Sequence, residues 1–353
     1  MTDYVWGPCG VESAKVGVIG TGAWGVTLSS ILATRQHRVS LWVRRWAEVS
    51  ELVQTWGPSA PALNPWPRRM TFSNDLAAVV SGCDFLFIAV PSQTMRANAA
   101  AVAPHLQPGT VVLSATKGLE VGTAMRMTEV LSEELGRQVQ ARLAVLSGPN
   151  LSAEIRAGLP AASVVAAYVA QTAGAVQDVL MTPDFRIYTH TDVVGVELAG
   201  ALKNIIALTA GISDGLGFGD NTKASLITRG LAEIARLGVA VGADPLTFSG
   251  LAGLGDLVAT CSSSHSRNHY VGFEIARGRR LDEVQKGMKM VAEGVHTAVA
   301  ARQLAGRYQV EMPITEQVYQ VLFESKPPRQ AVIELMTRDA KEELQGLRHP
   351  TNA

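Results

Sequence analysis

Apolar residues are distributed in two different patterns along this chain. From Lys15 to about residue 190, short runs rich in β-branched and other apolar residues alternate with longer segments whose apolar positions recur at helical spacing. This alternation is typical of a parallel sheet covered by helices, an α/β fold. The predicted strands are Lys15–Ile19, Arg38–Val43, Phe85–Ala89, Thr110–Ser114, Leu143–Leu146 and Ser163–Ala167.

The pattern changes after about residue 190. The segment Val193–Ile212 is long, apolar and helical in period, and the following chain is rich in Ala, Leu and Gly without a second set of strand signals. This pattern predicts an all-α second domain. Because no Ser/Gly-rich tether separates the two patterns, we expect the boundary to be a helix.

Composition limits the classes of protein to consider. A chain of 353 residues with 47% apolar content has room for about two domains, each with its own core. Thirty-one basic residues balance 31 acidic ones, so no overall field attracts nucleic acid or an anionic membrane surface. An anionic ligand therefore needs a local cluster of cations.

Cysteine usage and the N-terminus favour a reducing cytoplasm. Cys9, Cys83 and Cys261 form neither a disulfide framework nor a metal-ligand spacing. No apolar run approaches the roughly 18 to 20 residues of a membrane span, and no basic start precedes an apolar stretch. We expect residues 1–14 to form a disordered extension.

A glycine-rich turn follows the first predicted strand. Gly20-Thr21-Gly22-Ala23-Trp24-Gly25 lies between that strand and a helix predicted at about Trp24–Thr34. Gly20 permits a tight turn, Gly22 allows close approach of a pyrophosphate, and Gly25 allows helix and strand to pack closely. The helix N-terminus supplies N–H groups for the phosphates. The motif predicts a dinucleotide site; the alternative is a tight turn without a ligand.

Two arginines, Arg44 and Arg45, stand at the end of the second predicted strand. An NAD-preferring site carries Asp or Glu there, about 20 residues after the turn, to bind the ribose hydroxyls. A guanidinium pairs well with a 2′-phosphate, so the two arginines favour NADP(H). The alternative is that they are solvated charges at a strand end.

Three further strand ends carry candidate ligand contacts, because ligands of open α/β sheets bind at the carboxyl edge. Pro91-Ser92-Gln93 is a candidate for packing against adenosine or nicotinamide. Lys117, beside Gly118, is either a ligand-facing cation or an exposed turn residue. Asn150, after Ser147-Gly148-Pro149, is expected to cap a helix.

The second half contains a further group of polar residues. Lys203 and Asn204 lie inside a highly apolar helix, where burying a lysine is costly unless it is paired or used. Lys203 is therefore a candidate for a lowered pKa and for proton transfer, with snorkelling or a salt bridge as the alternative. The glycine-dense segment Gly250–Asp256 ends in a carboxylate that can orient a lysine. Thr260 and Ser266-Arg267-Asn268 offer donors for a phosphate.

Seven motifs follow one another in order along the chain: GTGAWG, AVPSQ, SATKGLE, SGPN, ELAGALKN, GLAGLGDL and SRN. Together they resemble the bacterial NAD(P)-dependent sn-glycerol-3-phosphate dehydrogenases, which reduce dihydroxyacetone phosphate. The resemblance extends from Lys15 to about Glu324. It implies a Rossmann domain at residues 15–192 and an all-α domain of the 6-phosphogluconate dehydrogenase type at 193–345. We expect a tail at 346–353, and the resemblance implies an active site in the cleft between the two domains.

The resemblance also implies roles for individual residues. Lys203 is the expected proton donor to the substrate carbonyl, Asp256 is expected to orient it, and Lys117 to contact both cofactor and substrate. Two ammonium groups in one cleft disfavour each other's protonation and bring a lysine pKa towards the working pH. The expected substrate contacts are Lys117, Gly148, Asn150, Lys203, Asn204, Asp256, Thr260, Ser266, Arg267 and Asn268. The expected cofactor contacts are Gly20, Gly22, Ala23, Trp24, Gly25, Arg44, Arg45, Lys117, Ser152, Arg267, Val291 and Glu293. None of these roles requires a metal.

Two features depart from the family. Asn150 and Leu151 stand where the family more often has Ser or Thr followed by an aromatic residue, and the stretch Gly57–Met70 matches no family pattern. Alternative functions are those of other reductases with this architecture, such as ketopantoate reductases and β-hydroxyacid dehydrogenases, or of a regulatory cofactor-binding protein without catalysis. The resemblance implies supply of glycerol 3-phosphate for glycerophospholipid synthesis, and the architecture suggests a homodimer.

Overall fold

The computed structural model describes residues 13–56, 69–288, 290–340 and 342–343. The expected N-terminal extension lies outside these ranges apart from its last two residues. The tail at 346–353 also lies outside them, as does nearly all of the stretch Gly57–Met70.

The first half of the described chain forms an eight-stranded sheet. Strands β1 to β8 are Lys15–Ile19, Arg38–Trp42, Met70–Ser73, Phe85–Ile88, Val111–Ser114, Leu143–Ser147, Ala161–Ala167 and Phe185–His190. Their spatial order is β3-β2-β1-β4-β5-β6-β7-β8, and neighbouring strands are parallel except for the antiparallel pair β6 and β7. This is the predicted Rossmann-type, mostly parallel sheet, and the six predicted strands are confirmed.

Two strands, β3 and β8, were not predicted. Both lie at the edges of the sheet, so each has a single neighbour. The β3 sequence is only four residues long, and β8, FRIYTH, alternates buried and exposed side chains at its start and ends in a half-buried His190. Partial exposure mixes polar residues into the apolar run, which removes the signal of a fully buried strand.

Helices cover both faces of the sheet and make up most of the second half of the described chain. Helices α1 to α15 are Ala23–Thr34, Ala47–Trp56, Leu76–Val80, Met95–Val102, Met127–Leu135, Ser152–Arg156, Ala170–Leu180, Val193–Gly215, Asp220–Val241, Asp256–Ser262, Arg267–Ala276, Leu281–Lys286, Glu293–Tyr308, Pro313–Phe323 and Pro328–Met336. After His190 the described residues contain no strand, so the prediction of an all-α second half is confirmed.

Helix α8 is the central element of the second half. It begins after Asp192, whose carboxylate accepts the N–H of Gly195, and packs against α9, α10, α11 and α13. Its length and composition alone suit a membrane span, which corrects the expectation that no apolar run approaches that length. However, 94% of its most apolar window is buried inside the protein, which is the environment of a core helix.

Glycines bring α8 and α11 into direct backbone contact. A Cβ on Gly211 of α8 would lie 2.0 Å from the carbonyl oxygen of His269, and a Cβ on Gly272 of α11 would lie 2.0 Å from that of Leu208. Only glycine fits at these two crossing points. The close packing holds the N-terminus of α11, with Arg267, on the helix that carries Lys203.

One hydrophobic core crosses from the sheet into the helical half. The buried cluster around α8 also contains five residues of the first half. They are Leu119, Ala124, Val145, Val164 and Ala166. The helical half is therefore packed directly on β6, β7 and the loop after β5.

Candidate active site

The glycine turn has the geometry that the motif predicted. Gly20 has φ +128°, and a Cβ there would lie 2.3 Å from the carbonyl oxygen of Ala89. A Cβ on Gly25 would lie 2.0 Å from the carbonyl oxygen of Gly20. Gly22, in contrast, is exposed, and its Cβ position has no described atom within 4 Å. The backbone itself therefore requires glycine at Gly20 and Gly25, whereas Gly22 borders open space.

The open space lies at the N-terminus of α1. Gly22 is the capping residue, and it offers the first-turn N–H groups no side-chain acceptor. Such N–H groups, with the helix dipole, form an anion site. The Trp24 ring packs edge-on against Phe185 at 6.3 Å between ring centroids, so we expect its backbone rather than its ring to face a ligand. Ala23 opens the same helix.

Arg44 and Arg45 lie at the carboxyl end of β2, beside the turn that follows β1. The Arg44 guanidinium carbon is 5.8 Å from the centre of the Trp42 ring. The Arg45 side chain is 80% exposed and makes a 3.4 Å contact with Glu48. Both side chains are thus exposed to solvent, at the end of the strand that neighbours β1.

Lys117, Lys203 and Asp256 form one compact charged cluster. The Nζ of Lys117 lies 2.6 Å from Asp256 Oδ2, and the Nζ of Lys203 lies 2.8 Å from Asp256 Oδ1. Lys203 also donates to the Thr260 hydroxyl at 2.5 Å, and Lys117 donates to the Gly148 carbonyl at 2.7 Å. One carboxylate therefore holds two lysines that are far apart in sequence and belong to different halves of the fold.

Burial sets the electrostatics of this cluster. Burial lowers the pKa of Lys117 to about 8, with Asp256 opposing the shift and the positive charge of Lys203 adding to it. Burial by itself would raise the pKa of the Asp256 carboxyl, but the two lysines outweigh it and hold that pKa below its usual value. The cluster thus contains one lysine, Lys117, with a lowered pKa, beside a carboxyl group whose lowered pKa keeps it an anion.

Three helices meet beside the cluster. The Asn268 side chain of α11 donates to Asn204 Oδ1 of α8 at 2.8 Å and accepts the N–H of Gly294, in the first turn of α13, at 2.9 Å. The Ser266 hydroxyl caps α11 by accepting the N–H of His269. Asn204 and Asn268, predicted to contact the substrate, therefore also join the helices to one another, whereas Ser266 caps its own helix.

Glu293 and Arg267 face the end of β4 from the helical half. The Glu293 carboxylate accepts the Ser92 N–H at 3.1 Å and the Ser92 hydroxyl at 2.5 Å. Burial raises the pKa of Glu293, and the two Ser92 bonds and Arg267 oppose that shift. Arg267 donates to the Val291 carbonyl at 2.6 Å. These contacts bring the predicted cofactor residues of the second half to the carboxyl edge of the sheet.

The prediction that Asn150 caps a helix is wrong. Helix α6 begins at Ser152, its capping position is Leu151, and no described side chain bonds to that cap. Asn150 Oδ1 instead accepts the hydroxyl of Ser163 on β7, while Asn150 Nδ2 is buried without a partner among the described residues. The chain stays extended through Leu151, which delays the helix until Ser152, and α6 then packs against α1.

Sequence patterns did not identify two side-chain contacts at the site, those of Ser92 and Ser163. Ser92 belongs to the segment predicted to pack against adenosine or nicotinamide, but its hydroxyl binds Glu293, which is 201 positions away in the chain. Ser163 was noted only as the start of a predicted strand, yet it orients Asn150. Both contacts are between distant segments, so local spacing contains no signal for them.

Neighbouring carboxyl ends of strands collect most of the predicted residues. The turn follows β1, Ser92 follows β4, Lys117 follows β5, and Gly148 follows β6, and these four strands are adjacent. Helices of the second half add Lys203 and Asp256. An open α/β sheet with a glycine turn at this edge and buried titratable groups beside it is the architecture of a two-domain, dinucleotide-dependent dehydrogenase.

Comparison with known proteins gives the family. Residues 15–173 match the family model described as NAD-dependent glycerol-3-phosphate dehydrogenase N-terminus, and residues 192–333 match its C-terminus. A glycerol-3-phosphate dehydrogenase [NAD(P)+] of Geobacter sulfurreducens is 51% identical over 333 residues, covering 94% of this chain and 99% of the relative. The chain belongs to the NAD-dependent glycerol-3-phosphate dehydrogenase family.

Solved structures agree with this assignment. The crystal structure of glycerol-3-phosphate dehydrogenase from Coxiella burnetii has a TM-score of 0.86 and 36% identity, covering 92% of this chain and 99% of that one. A ketopantoate reductase structure from Ralstonia solanacearum has a TM-score of 0.55 and 12% identity, so it shares the fold alone. The alternative reductase function has correspondingly less support.

Proposed function

We propose that this protein interconverts dihydroxyacetone phosphate and sn-glycerol 3-phosphate, with NADPH as the preferred cofactor and NADH as a possible one. The observation that carries the proposal is the Lys117–Asp256–Lys203 cluster, whose Lys117 lies at the same edge of the sheet as the glycine turn. Family membership supports the substrate and the use of NAD(P), because the relative from Geobacter sulfurreducens carries that activity in its name. We further propose that residues 15–192 and 193–345 are the two functional domains.

The residues at the turn fit a dinucleotide. Open space over Gly22, uncapped N–H groups at α1 and the exposed Arg44 and Arg45 together suit a pyrophosphate and a 2′-phosphate. When bound, the nicotinamide supplies the hydride. The residues proposed to hold the cofactor are Gly20, Gly22, Ala23, Trp24, Gly25, Arg44, Arg45, Lys117, Ser152, Arg267, Val291 and Glu293.

Lys203 is the proposed acid and base. As the carbonyl carbon of the ketone is reduced, its oxygen takes a proton from Lys203 Nζ and becomes the secondary hydroxyl; in the reverse direction Lys203 takes that proton back. The contacts to Asp256 and Thr260 hold Nζ in one position and support this role. Lys117, bonded to the other carboxylate oxygen, is proposed to contact both substrate and cofactor.

The substrate phosphate is proposed to bind at the start of α11. Arg267 provides a planar fork of five donors, of which Nη1 bonds Val291, and it adjoins Ser266 and Asn268. Asn204 and Thr260 lie on neighbouring helices. On the sheet side, the backbone of Gly148 and the buried amide of Asn150 are proposed to line the substrate.

The test follows oxidation of NADPH with dihydroxyacetone phosphate, dihydroxyacetone and ketopantoate. We expect turnover with the first substrate alone, and loss of about 10² to 10⁴-fold in rate for Lys203→Ala. An equal rate with phosphate-free dihydroxyacetone would contradict the proposed binding of the substrate phosphate by Arg267. Near-normal turnover in Lys203→Ala would remove the proton-transfer role.

The preference for NADPH has its own test. Arg44→Asp places an anion where a 2′-phosphate is proposed, so we expect the KM for NADPH to rise far more than the KM for NADH. Equal changes for both cofactors would contradict the assignment.

We also propose a cytoplasmic homodimer that supplies glycerol 3-phosphate to glycerophospholipid synthesis; light scattering of the purified protein measures the oligomeric state.

A further inference from the structure

A buried ion pair joins the two halves of the fold outside the lysine cluster. Glu197 of α8 and Arg126, just before α5, lie 2.7 Å apart, and their side chains are 4% and 8% exposed. The Glu197 carboxylate also accepts the N–H of Thr128 at 2.8 Å and its hydroxyl at 2.5 Å. Arg126 and Thr128 thus give the carboxylate three donors, and we call these three residues the Glu197 cluster.

The cluster holds the loop that carries Lys117. Arg126 pairs with Leu119 in an antiparallel bridge, and Glu120 N–H bonds the Met125 carbonyl at 3.0 Å. Leu119 is only two residues after Lys117 and is completely buried in the core around α8. The segment from Lys117 to Arg126 is therefore a closed hairpin-like loop, with Lys117 at one end and the Glu197 bond at the other.

Helix α8 connects Glu197 to Lys203, so fixing Glu197 against the loop also fixes where Lys203 lies relative to it. Glu197 and Lys203 are six residues apart on one continuous helix, a separation of roughly 9 Å along its axis. Between them, Gly200 lets the sheet approach, because a Cβ there would lie 2.4 Å from Ser147 Oγ and 3.7 Å from Lys117 Cγ. The loop and the helix thus touch at Glu197, at Gly200 and through the Asp256 carboxylate.

A gain in folding stability is by itself a weak explanation for the buried Arg126–Glu197 pair. Replacing a buried ion pair by apolar residues of similar volume is often neutral or stabilising, because desolvation offsets the attraction. Burial raises the pKa of Glu197, while Arg126 and Thr128 oppose the shift. What the pair adds over an apolar contact is direction: its hydrogen bonds allow one relative placement of loop and helix.

We propose that Arg126 and Glu197 are positioning residues that fix the Lys117 loop against α8, so that Lys117 and Lys203 reach opposite oxygens of Asp256. This inference rests on the proposed function. Neither residue touches the reacting atoms; both act through the placement of Lys117. Removing the pair shifts Lys117 relative to Asp256, and misplacement on the order of 1 Å costs about 10²-fold in rate.

The test compares Glu197→Gln with a matched buried carboxylate. Glu233 accepts the N–H groups of Ile314 and Thr315 and the Thr315 hydroxyl, which is the same kind of bonding at a helix start away from Lys117. We expect both Glu→Gln variants to lower Tm. We expect Glu197→Gln alone to lower kcat with dihydroxyacetone phosphate by about 10- to 100-fold and to move the alkaline limb of kcat/KM.

A second variant separates positioning from folding. Arg126→Met with Glu197→Leu replaces the pair by apolar side chains, and we expect Tm near that of the wild type with kcat still reduced and the alkaline limb displaced. Wild-type kcat and pH profile in Glu197→Gln, or in the double variant, would overturn the inference. If the double variant does not fold, Arg126→Lys, which keeps the charge, should recover part of the activity that Arg126→Met loses; equal activities would overturn it. Lack of wild-type activity with dihydroxyacetone phosphate would refute the proposed function instead.

Discussion

At the scale of single residues, glycine occupies the three positions of the turn for different physical reasons. Gly20 and Gly25 are required by the fold, because a Cβ at either position would overlap a carbonyl oxygen. Gly22 has φ −70°, which any residue adopts, and its Cβ position is free of described atoms. The described backbone thus gives no reason for glycine at this position, which is consistent with the pyrophosphate contact proposed for Gly22.

Gly22→Ala should separate binding from folding. We expect NADPH affinity, measured by fluorescence titration, to fall at least about tenfold, because the methyl group occupies the space proposed for the pyrophosphate. The loss of a glycine cap costs roughly 1 kcal/mol, a Tm decrease of roughly 2–4 °C. Gly20→Ala is the control that should damage the fold itself. Wild-type affinity in Gly22→Ala would show that no pyrophosphate approaches this turn.

The pKa of Lys117 should respond in opposite directions to its two charged neighbours. Asp256 raises that pKa and Lys203 lowers it, so Asp256→Asn should lower it below about 8 and Lys203→Met should raise it. The neutral amine is the nucleophile, so at pH 7 acetylation of Lys117 should be faster in Asp256→Asn and slower in Lys203→Met. Peptide mass spectrometry of ligand-free protein measures this rate.

The exposed Lys286, whose side chain is 80% accessible, serves as the internal reference for that experiment. Its acetylation rate should be the same in all three proteins. If the acetylation rate of Lys117 changed in the same direction in both variants, the result would contradict this charge arrangement. In the wild type, protonated Lys117 is lost as pH rises through about 8, so attraction for an anionic ligand should weaken above that pH.

At the scale of elements, the crossing of α8 and α11 depends on missing side chains. Gly211 and Gly272 let two helix backbones touch, although glycine is unfavourable inside helices. The close crossing places Asn268 within hydrogen-bond distance of Asn204 and so fixes where Arg267 begins α11. The position of the proposed phosphate site is therefore a property of helix packing.

Gly272→Ala should be destabilising despite the better helix propensity of alanine. Its Cβ would lie 2.0 Å from the Leu208 carbonyl oxygen, so the helices must separate, at a cost of roughly 1–3 kcal/mol. Gly306 in α13 is the matched control, because its Cβ position is open among the described atoms; Gly306→Ala should stabilise by roughly 0.5–1 kcal/mol. Urea denaturation measures both, and equal effects of the two changes would contradict the close crossing.

At the scale of the whole molecule, the two halves share a core and are not independent bodies. Val145 and Val164 of the sheet pack in the same cluster as Leu198 and Leu202 of α8. The Glu197 cluster and the lysine cluster add polar links across the same junction. Because the core is shared, unfolding of either half would expose apolar residues of the other half and destabilise it.

Thermal unfolding should therefore occur in one transition. We expect calorimetric and van't Hoff enthalpies to agree, and we expect far-ultraviolet circular dichroism and tryptophan fluorescence to give the same midpoint. A protein beginning at Val193 should not fold alone, because it would expose the face of α8 that packs on β6 and β7. Two separate transitions, or a folded fragment of the second half, would show that the halves are independent.

The sequence by itself determined the elements whose signals are local. Six strands, the long α8 and the glycine turn follow from apolar period and from the backbone needs of Gly20 and Gly25, since these depend on neighbours in the chain. The edge strands β3 and β8 were missed because their partial exposure weakens the apolar pattern. The motif order indicated the family, which the comparisons show.

Only the tertiary structure decided which distant side chains meet. Asp256 holds Lys117 and Lys203 together, and Glu197 binds Arg126 across the two halves. Asn150 accepts a hydrogen bond from the Ser163 hydroxyl instead of capping a helix. The lowered pKa of Lys117 has burial and neighbouring charge as its causes, and both are properties of the packed molecule. Local spacing contains neither, since each depends on residues brought together by folding.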